Sequence, residues 1–140
     1  MLYESEKGNA SIILTGDSMI TRAMRPFREP QFSGLLDLLR NSDITVSNLE
    51  MLFHNYEMSW QYKGAASFQV SHPRNIEDLK WMGIDVVTTA TNHAFDYGEV
   101  GFSTTLAIVK RWGSCRRVGG EILPNHGRQP ISIRARDVSP

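Results

Sequence analysis

The sequence predicts an α/β protein in which a mostly parallel sheet is flanked by helices. Three apolar runs of strand length begin at Ile12, Ile44 and Ile84, and a segment with the apolar spacing of a helix follows each of them. Strands that alternate with helices pair in parallel, because each helix returns the chain to the same end of the sheet. All three runs end in polar residues. In open α/β sheets this carboxyl edge is where ligands and catalytic groups gather.

Composition sets the class of protein. The 140 residues are 41% hydrophobic, which is enough for one domain with a core. The formal net charge of zero gives no general attraction for nucleic acid, so any anion must be bound locally. Cys115, the single cysteine, allows no internal disulfide and no cysteine-pair zinc site. The amino terminus resembles no export signal and no run of about 18 apolar residues occurs, so the sequence predicts a cytoplasmic location without a membrane segment.

The first half of the chain predicts two strands and one helix. A strand from Ile12 to Thr15 leads through a basic loop into a helix, and a second strand from Ile44 reaches its polar end at Glu50. The basic loop contains Arg22 and Arg25, which could hold an anionic substrate or simply be solvated. The helix is predicted from the spacing of Phe32, Leu35, Leu36, Leu38 and Leu39.

The second half predicts two more helices and a strand between them. The aromatic segment from Met51 to His72 has no clear period and is interpreted as a lid or a packed loop. A helix from Pro73 to Met82 ends at Gly83, which suits a left-handed stop. The third strand begins at Ile84, and a third helix runs from about Glu99 to Trp112 with Gly113 as its cap.

The last stretch of the chain differs in composition. Residues 1–113 are interpreted as the domain, and residues 114–140 as an arginine-rich tail. The stretch from Arg116 to Gly120 has two charges and two glycines, which makes a poor central strand. Only Ile131 to Ile133 alternates like a half-buried strand. The domain is therefore predicted to stop before its sheet is complete.

The polar strand ends predict a metal site. Asp17, Glu50 and Asn92 offer hard oxygen donors and His93 adds a nitrogen, a set that suits one or two divalent cations such as Mn²⁺, Mg²⁺ or Fe²⁺. Each residue also has a simpler explanation. Asp17 could cap a turn, Glu50 could be solvated, and Asn92 could be favoured by the turn conformation.

The spacing of His93 and Asp96 predicts a dyad in which the carboxylate accepts a hydrogen bond from one ring nitrogen and fixes the tautomer. Alternatively, Asp96 caps the helix that begins near Glu99, and both roles can coexist. The other histidines, His54, His72 and His126, follow no apolar strand and are expected at the surface or in the lid.

Several motifs resemble the bacterial capsule-synthesis CapA family. They are Gly16-Asp17-Ser18-Met19, Ser47-Asn48-Leu49-Glu50, the stretch from Gly64 to Pro73, the stretch from Asp78 to Asp85, and the stretch from Ala90 to Gly98 with Thr105-Leu106. The resemblance covers about Ile12 to Leu106. It implies a layered fold like that of calcineurin-type metallophosphatases, a two-metal site, and a link to poly-γ-glutamate synthesis. By the same resemblance, Asp17, Glu50 and Asn92 would be metal ligands, His93 the acid or transition-state donor, and Asp96 its orienting partner.

The resemblance also has consequences for partners and completeness. It implies an anionic small-molecule or polyglutamate-type substrate, and members of the family are often membrane-associated. The later histidine motifs of the family do not occur, and Pro124-Asn125-His126-Gly127 only superficially resembles them, so His126 is not counted as a ligand. The chain is therefore expected to be truncated and to bind metal weakly or not at all.

Two classes of function follow, a metal-dependent hydrolase or a non-catalytic fragment or binding module that keeps part of the metal site. An incomplete sheet would leave an apolar face or edge exposed, which predicts a possible homodimer.

Overall fold

A computed structural model describes residues 8–61 and 67–112, and the backbone of two further short strands. The elements in chain order are β1 (Ile12–Ser18), α1 (Pro30–Asn41), β2 (Ile44–Leu49), β3 (Leu52–Phe53), β4 (Val70–Ser71), a 3₁₀ turn (Pro73–Asn75), α2 (Ile76–Met82), β5 (Val86–Thr88), α3 (Gly98–Trp112), β6 (Arg116–Arg117) and β7 (Gly120–Ile122).

The main sheet has the strand order β1-β2-β5-β7-β6. Its first three strands are parallel, and a helix lies in the chain between each successive pair. This arrangement confirms the predicted α/β class with a mostly parallel sheet. The carboxyl ends of β1, β2 and β5 therefore lie along one edge, as parallel pairing requires.

The sheet continues past α3, which the sequence did not predict. β7 pairs antiparallel with β5, and β6 pairs antiparallel with β7 at the far edge. The stretch from Arg116 to Gly120, which was expected to make a poor central strand, supplies β6 at the edge and the first residue of β7. An antiparallel pair needs no crossover helix, and the two arginines lie in β6 at the edge, where charges are better tolerated than in a central strand. Gly113 and the Ile131 to Ile133 stretch lie outside the described residues.

The aromatic segment between β2 and α2 is packed where the structure describes it. Met51 to His54 are buried, and β3 pairs in parallel with β4 as a separate two-stranded sheet. The Oγ1 hydroxyl of Thr105 in α3 accepts a hydrogen bond from the Phe53 backbone N–H at 2.9 Å. Because strands of two residues are too short to show a period, the sequence did not reveal them.

The core lies on one face of the main sheet. Leu49 of β2 and Val87 of β5 are buried there among side chains from all three helices. The cluster consists of Leu39, Leu49, Met51, Phe53, Ile76, Leu79, Ile84, Val87, Val109 and Trp112. α2 ends at Gly83 as predicted, with a φ of 100° that favours glycine.

The opposite face of the sheet carries an apolar stripe. Leu14 pairs with Val46, which pairs with Val86, so these side chains adjoin one another across three strands. Leu14 is 76% exposed, and Ile12 beside it on the same strand face is 60% exposed. Large exposed apolar side chains on a sheet that also has β1 at its edge favour association.

We therefore expect the chain to self-associate, and Leu14→Lys to shift it toward the monomer. A lysine on this face brings a charge that must be desolvated when the stripe is covered. Sedimentation velocity over a concentration series measures the effect. Leu38→Lys is the matched control, because Leu38 is also an exposed leucine, at 61%, but lies on α1. Equal effects of the two variants would contradict a role for the stripe.

Within the described residues, no helix has the length and apolar character needed to cross a membrane.

Candidate functional site

Asp17 and Glu50 converge on a single amide at the carboxyl edge of the sheet. Asp17 lies opposite Asn48 in the parallel register of β1 and β2. The Asn48 Nδ2 amide donates to Asp17 Oδ1 at 2.8 Å and to Glu50 Oε2 at 2.5 Å. Two acceptors on one amide nitrogen hold the carboxylates close together. We call these three residues the carboxylate bracket.

Sequence reasoning did not single out Asn48 as a site residue. The one available signal was its place in Ser47-Asn48-Leu49-Glu50, a motif that was quoted for the family resemblance. Its role depends on the strand register, because a shift of one residue would turn the Asn48 side chain to the other face.

The loop after β5 joins the bracket through Glu50. The Thr91 hydroxyl donates a hydrogen bond to Glu50 Oε2. His93 Nε2 lies 4.0 Å from Glu50 Oε1, and the two side chains are 15% and 11% exposed. The ends of β1, β2 and β5 thus contribute to one continuous polar network. Glu50 is its central member.

His93 and Asp96 form the predicted pair. His93 Nδ1 lies 2.7 Å from Asp96 Oδ2, and the Asp96 side chain is 2% exposed. The same oxygen accepts the Gln69 backbone N–H at 2.9 Å, and the Asp96 carbonyl accepts the Gln61 N–H at 2.9 Å. With an ionised Asp96, the proton of a neutral His93 sits on Nδ1, which leaves Nε2 as an acceptor on the Glu50 side.

The capping alternative for Asp96 receives no support from the contacts. α3 begins at Gly98, and the hydrogen bonds of the Asp96 carboxylate go to His93 and Gln69 rather than to the first turn of α3 among the described residues. The packed aromatic segment therefore fixes the carboxylate. Gln69 was missed because a backbone donor has no sequence signature and lies 27 residues away.

Asn92 and Arg25 do not take part in this polar network. Asn92 is exposed and makes no hydrogen bond to any described residue. Arg25 Nε forms an ion pair of 2.9 Å with Asp78 Oδ1, whose other oxygen accepts the Met24 N–H at 2.5 Å. Arg25 therefore anchors the loop after β1 to α2. Arg22 is exposed and lies over the Phe27 ring, 6.0 Å from its centroid.

Of the two placements expected for His54, the surface is wrong, because the residue is buried within the aromatic segment that was interpreted as a lid or packed loop. The residue is 1% exposed, its Nδ1 accepts the Tyr56 N–H at 3.1 Å, and its ring meets the Tyr97 ring edge-on at 4.4 Å. Its Nε2 has no hydrogen-bond partner among the described residues. Burial lowers the pKa of His54, while the nearby Glu57 carboxylate opposes that shift. His54 follows β3, a strand that sequence reasoning could not detect.

The remaining histidines are less central. His72 is partly buried, and its Nδ1 accepts the Arg74 N–H at 3.2 Å at the start of the 3₁₀ turn. His126 lies outside the described residues.

We expect acid to destabilise the fold through His54. In the unfolded chain the imidazole takes up a proton below about its ordinary pKa of 6.5, whereas the buried ring resists protonation. The free energy of unfolding should therefore fall as the pH decreases from about 6.5 toward the lowered pKa. Urea unfolding at about pH 7.5 and about pH 5.5 measures this difference. His54→Gln should reduce this difference in unfolding free energy, and His72→Gln should not. An unchanged difference in His54→Gln would contradict the role of His54 in acid destabilisation.

The chemistry of the bracket fits a hard divalent cation. Asp17 and Glu50 each place an oxygen within hydrogen-bond distance of one nitrogen, and His93 adds an imidazole nearby. Oxygen donors of this kind suit Mg²⁺ and Mn²⁺. In the part of the chain that the structure describes, however, no three His, Cys, Asp or Glu side chains are grouped tightly enough to hold a metal ion.

Comparison with known proteins identifies the family. A family model described as bacterial capsule synthesis protein PGA_cap matches residues 11–138, and so extends beyond Leu106, where the resemblance in the motifs ended. Two relatives from Sinorhizobium fredii (strain NBRC 101917 / NGR234) are similar, the uncharacterized proteins y4uA and y4sH. They are 31% and 30% identical over 114 residues.

These alignments cover 79% of this chain and 25% of each relative, so the chain spans about a quarter of the length of the curated relatives it matches. The family model covers nearly all of the chain and confirms the resemblance that the motifs indicated. This chain belongs to the bacterial capsule synthesis protein family PGA_cap.

Proposed function

We propose that this chain supplies metal-binding and proton-transfer groups of a metal-dependent hydrolase that acts in capsule or poly-γ-glutamate metabolism. The observation that carries the proposal is the meeting of the carboxylate bracket with the His93–Asp96 pair at one edge of the sheet. Oxygen donors for a cation beside an oriented imidazole are the components that metal-assisted hydrolysis requires.

Asp17 and Glu50 would hold the cation in this proposal. The Asn48 amide keeps their oxygens together, and Thr91 orients Glu50 from the other side. The family resemblance adds Asn92 as a ligand, and its exposed side chain lies directly before His93 in the loop. A bound divalent cation, or a pair of cations, would polarise the substrate and activate water.

His93 would move a proton at Nε2. Asp96 accepts the hydrogen bond from Nδ1, which fixes the ring orientation and leaves Nε2 on the side of Glu50. The buried Asp96 is itself held by the Gln69 N–H, so the imidazole is oriented before any substrate arrives. The proposed substrate is an anionic small molecule or a polyglutamate-type chain, whose charge the cation would offset.

A binding module without catalysis is the second candidate. One observation favours it: within the described residues, no three His, Cys, Asp or Glu side chains are grouped closely enough to hold a metal ion. Two carboxylates and one imidazole would bind a transition metal weakly, because structural and catalytic sites commonly provide three or four protein ligands. The two candidates differ in whether substrate turns over.

Manganese binding and hydrolysis test the proposal together. We expect Mn²⁺ to bind the protein, as measured by the loss of the free-ion signal in electron paramagnetic resonance, and to support hydrolysis of p-nitrophenyl phosphate or a γ-glutamyl anilide. Glu50→Gln should weaken Mn²⁺ binding by about tenfold or more, because it removes one charged ligand. Glu77→Gln is the control, since Glu77 is exposed on α2.

The outcomes separate the candidates. Binding that depends on Glu50 without any hydrolysis supports the binding module. Equal Mn²⁺ affinity in Glu50→Gln and Glu77→Gln rejects the bracket as the metal site, and with it both candidates.

A further inference from the structure

A cavity of about 360 Å³ lies in the loop that follows β1. Its volume falls within the range of small-molecule sites, which begins at about 300 Å³. The loop starts immediately after β1, the strand that carries Asp17, and leads into α1. Its lining residues are Arg22, Met24, Phe27, Glu29, Gln31 and Phe32.

The apolar wall of the cavity is already formed. The rings of Phe27 and Phe32 meet edge to face, with their centroids 6.1 Å apart. The centroid of the Phe32 ring also lies 6.5 Å from that of Trp81 in α2. Such aromatic pairs have a preferred geometry and resist collapse. A ligand with an apolar body would therefore find a surface that needs little rearrangement.

The loop itself is tied down at several points. Asp78 of α2 accepts hydrogen bonds from the Met24 N–H and from Arg25 Nε. Nearer the start of the loop, the Ser71 hydroxyl donates to the Ile20 carbonyl at 2.7 Å. Because these contacts fix both parts of the loop, little ordering cost remains for a ligand that binds here.

One arginine of the cavity lining has no ion pair with any residue that the structure describes. Arg25 pairs with Asp78, and Arg28 donates through Nη1 to the Phe27 carbonyl at 2.7 Å. Arg22 differs, because its side chain makes no hydrogen bond or ion pair with a described residue and its guanidinium lies over the Phe27 ring. Glu29 is also in the lining, where its Oε2 accepts the Arg28 N–H at 3.0 Å.

We infer that this cavity binds a small organic anion, in which a carboxylate or phosphate meets Arg22 and an aryl or alkyl body packs on Phe27 and Phe32. A guanidinium forms strong charge-assisted hydrogen bonds with either anion. The Glu29 carboxylate, which is also in the lining, disfavours a ligand with further negative charge. The inference rests on the proposed function only in assigning the ligand to the substrate, since the binding itself requires no metal.

Titration followed by NMR tests the site without any activity assay. The probes are phenylacetate, phenyl phosphate and the neutral benzyl alcohol, each added to the metal-free protein. We expect both anions to shift the amide resonances of Met24, Phe27 and Phe32, and benzyl alcohol to bind roughly tenfold more weakly. The ratio between phenylacetate and phenyl phosphate shows which anion the site prefers.

Arg22→Gln should lower the affinity for both anions by about tenfold and leave that for benzyl alcohol unchanged. Arg111→Gln is the matched control, because Arg111 is an exposed arginine at the end of α3. Shifts that occur elsewhere, or equal losses in the two variants, overturn the inference. Failure of Mn²⁺ binding would reject the proposed function and leave this result intact.

Discussion

Replacing His93 by alanine is expected to lower metal-dependent hydrolysis by about 10²- to 10⁴-fold, the contribution typical of a positioned acid or base. His93 supplies the imidazole of the network, and imidazole is the side chain that most often acts as a general acid or base in enzymes. Rates of p-nitrophenyl phosphate hydrolysis at saturating Mn²⁺ measure the effect. His72→Ala serves as the control, because His72 contacts the 3₁₀ turn rather than the bracket.

Asp96→Asn separates orientation from chemistry. The amide keeps the size of the carboxylate and can still accept the Gln69 N–H, so the fold should be preserved. It removes the charge that favours a proton on His93 Nδ1, so the ¹⁵N shifts of the ring should report a larger fraction of the other tautomer. Hydrolytic activity should fall as the fraction of the other His93 tautomer rises. Unchanged ring shifts in Asp96→Asn would contradict the orienting role.

Phe53→Ala is expected to reduce the free energy of unfolding by about 3–5 kcal/mol, as large-to-small changes in a core do. Phe53 is fully buried within the core cluster, and β3 places it against α3. Domains of this size are stable by about 5–15 kcal/mol in total, so the variant would lose a large part of its stability. Urea unfolding followed by circular dichroism gives the value.

Phe95→Ala is the matched control for this loss. The same ring is removed, but Phe95 is 53% exposed and its ring contact is with Phe102 at 5.0 Å. We expect a cost well below that of Phe53→Ala, because less surface leaves a buried environment. A similar loss of unfolding free energy in both variants would contradict a central role for Phe53 of β3 in the core.

The periodic elements could be predicted from the sequence because each is specified locally. The helical spacing before Asn41 and the glycine stop at Gly83 depend on residues within one element. The position of Asp17 and Glu50 at one edge followed from the parallel order of the strands, which the alternation of strands and helices already implied.

Other features were decided by contacts between distant parts of the chain. Asn48 bridges the two carboxylates only in the observed register of β1 and β2, and no local pattern specifies a register. Asp96 receives the Gln69 N–H because the short strands β3 and β4 pair, although neither strand is long enough to show a period.

The burial of His54 and the antiparallel strands after α3 have the same origin. A polar residue is buried when its neighbours in space cover it, and Tyr97, which covers the His54 ring, lies far along the sequence. Strand direction likewise depends on which edge of the sheet is available, and β5 presents the edge that β7 occupies. The sequence by itself determined the three parallel strands of the main sheet, the three helices, and the polar residues that lie near the carboxyl ends of those strands. The tertiary structure alone decided which of those residues meet, because free energy is gained from packing and hydrogen bonding between segments that no local pattern connects.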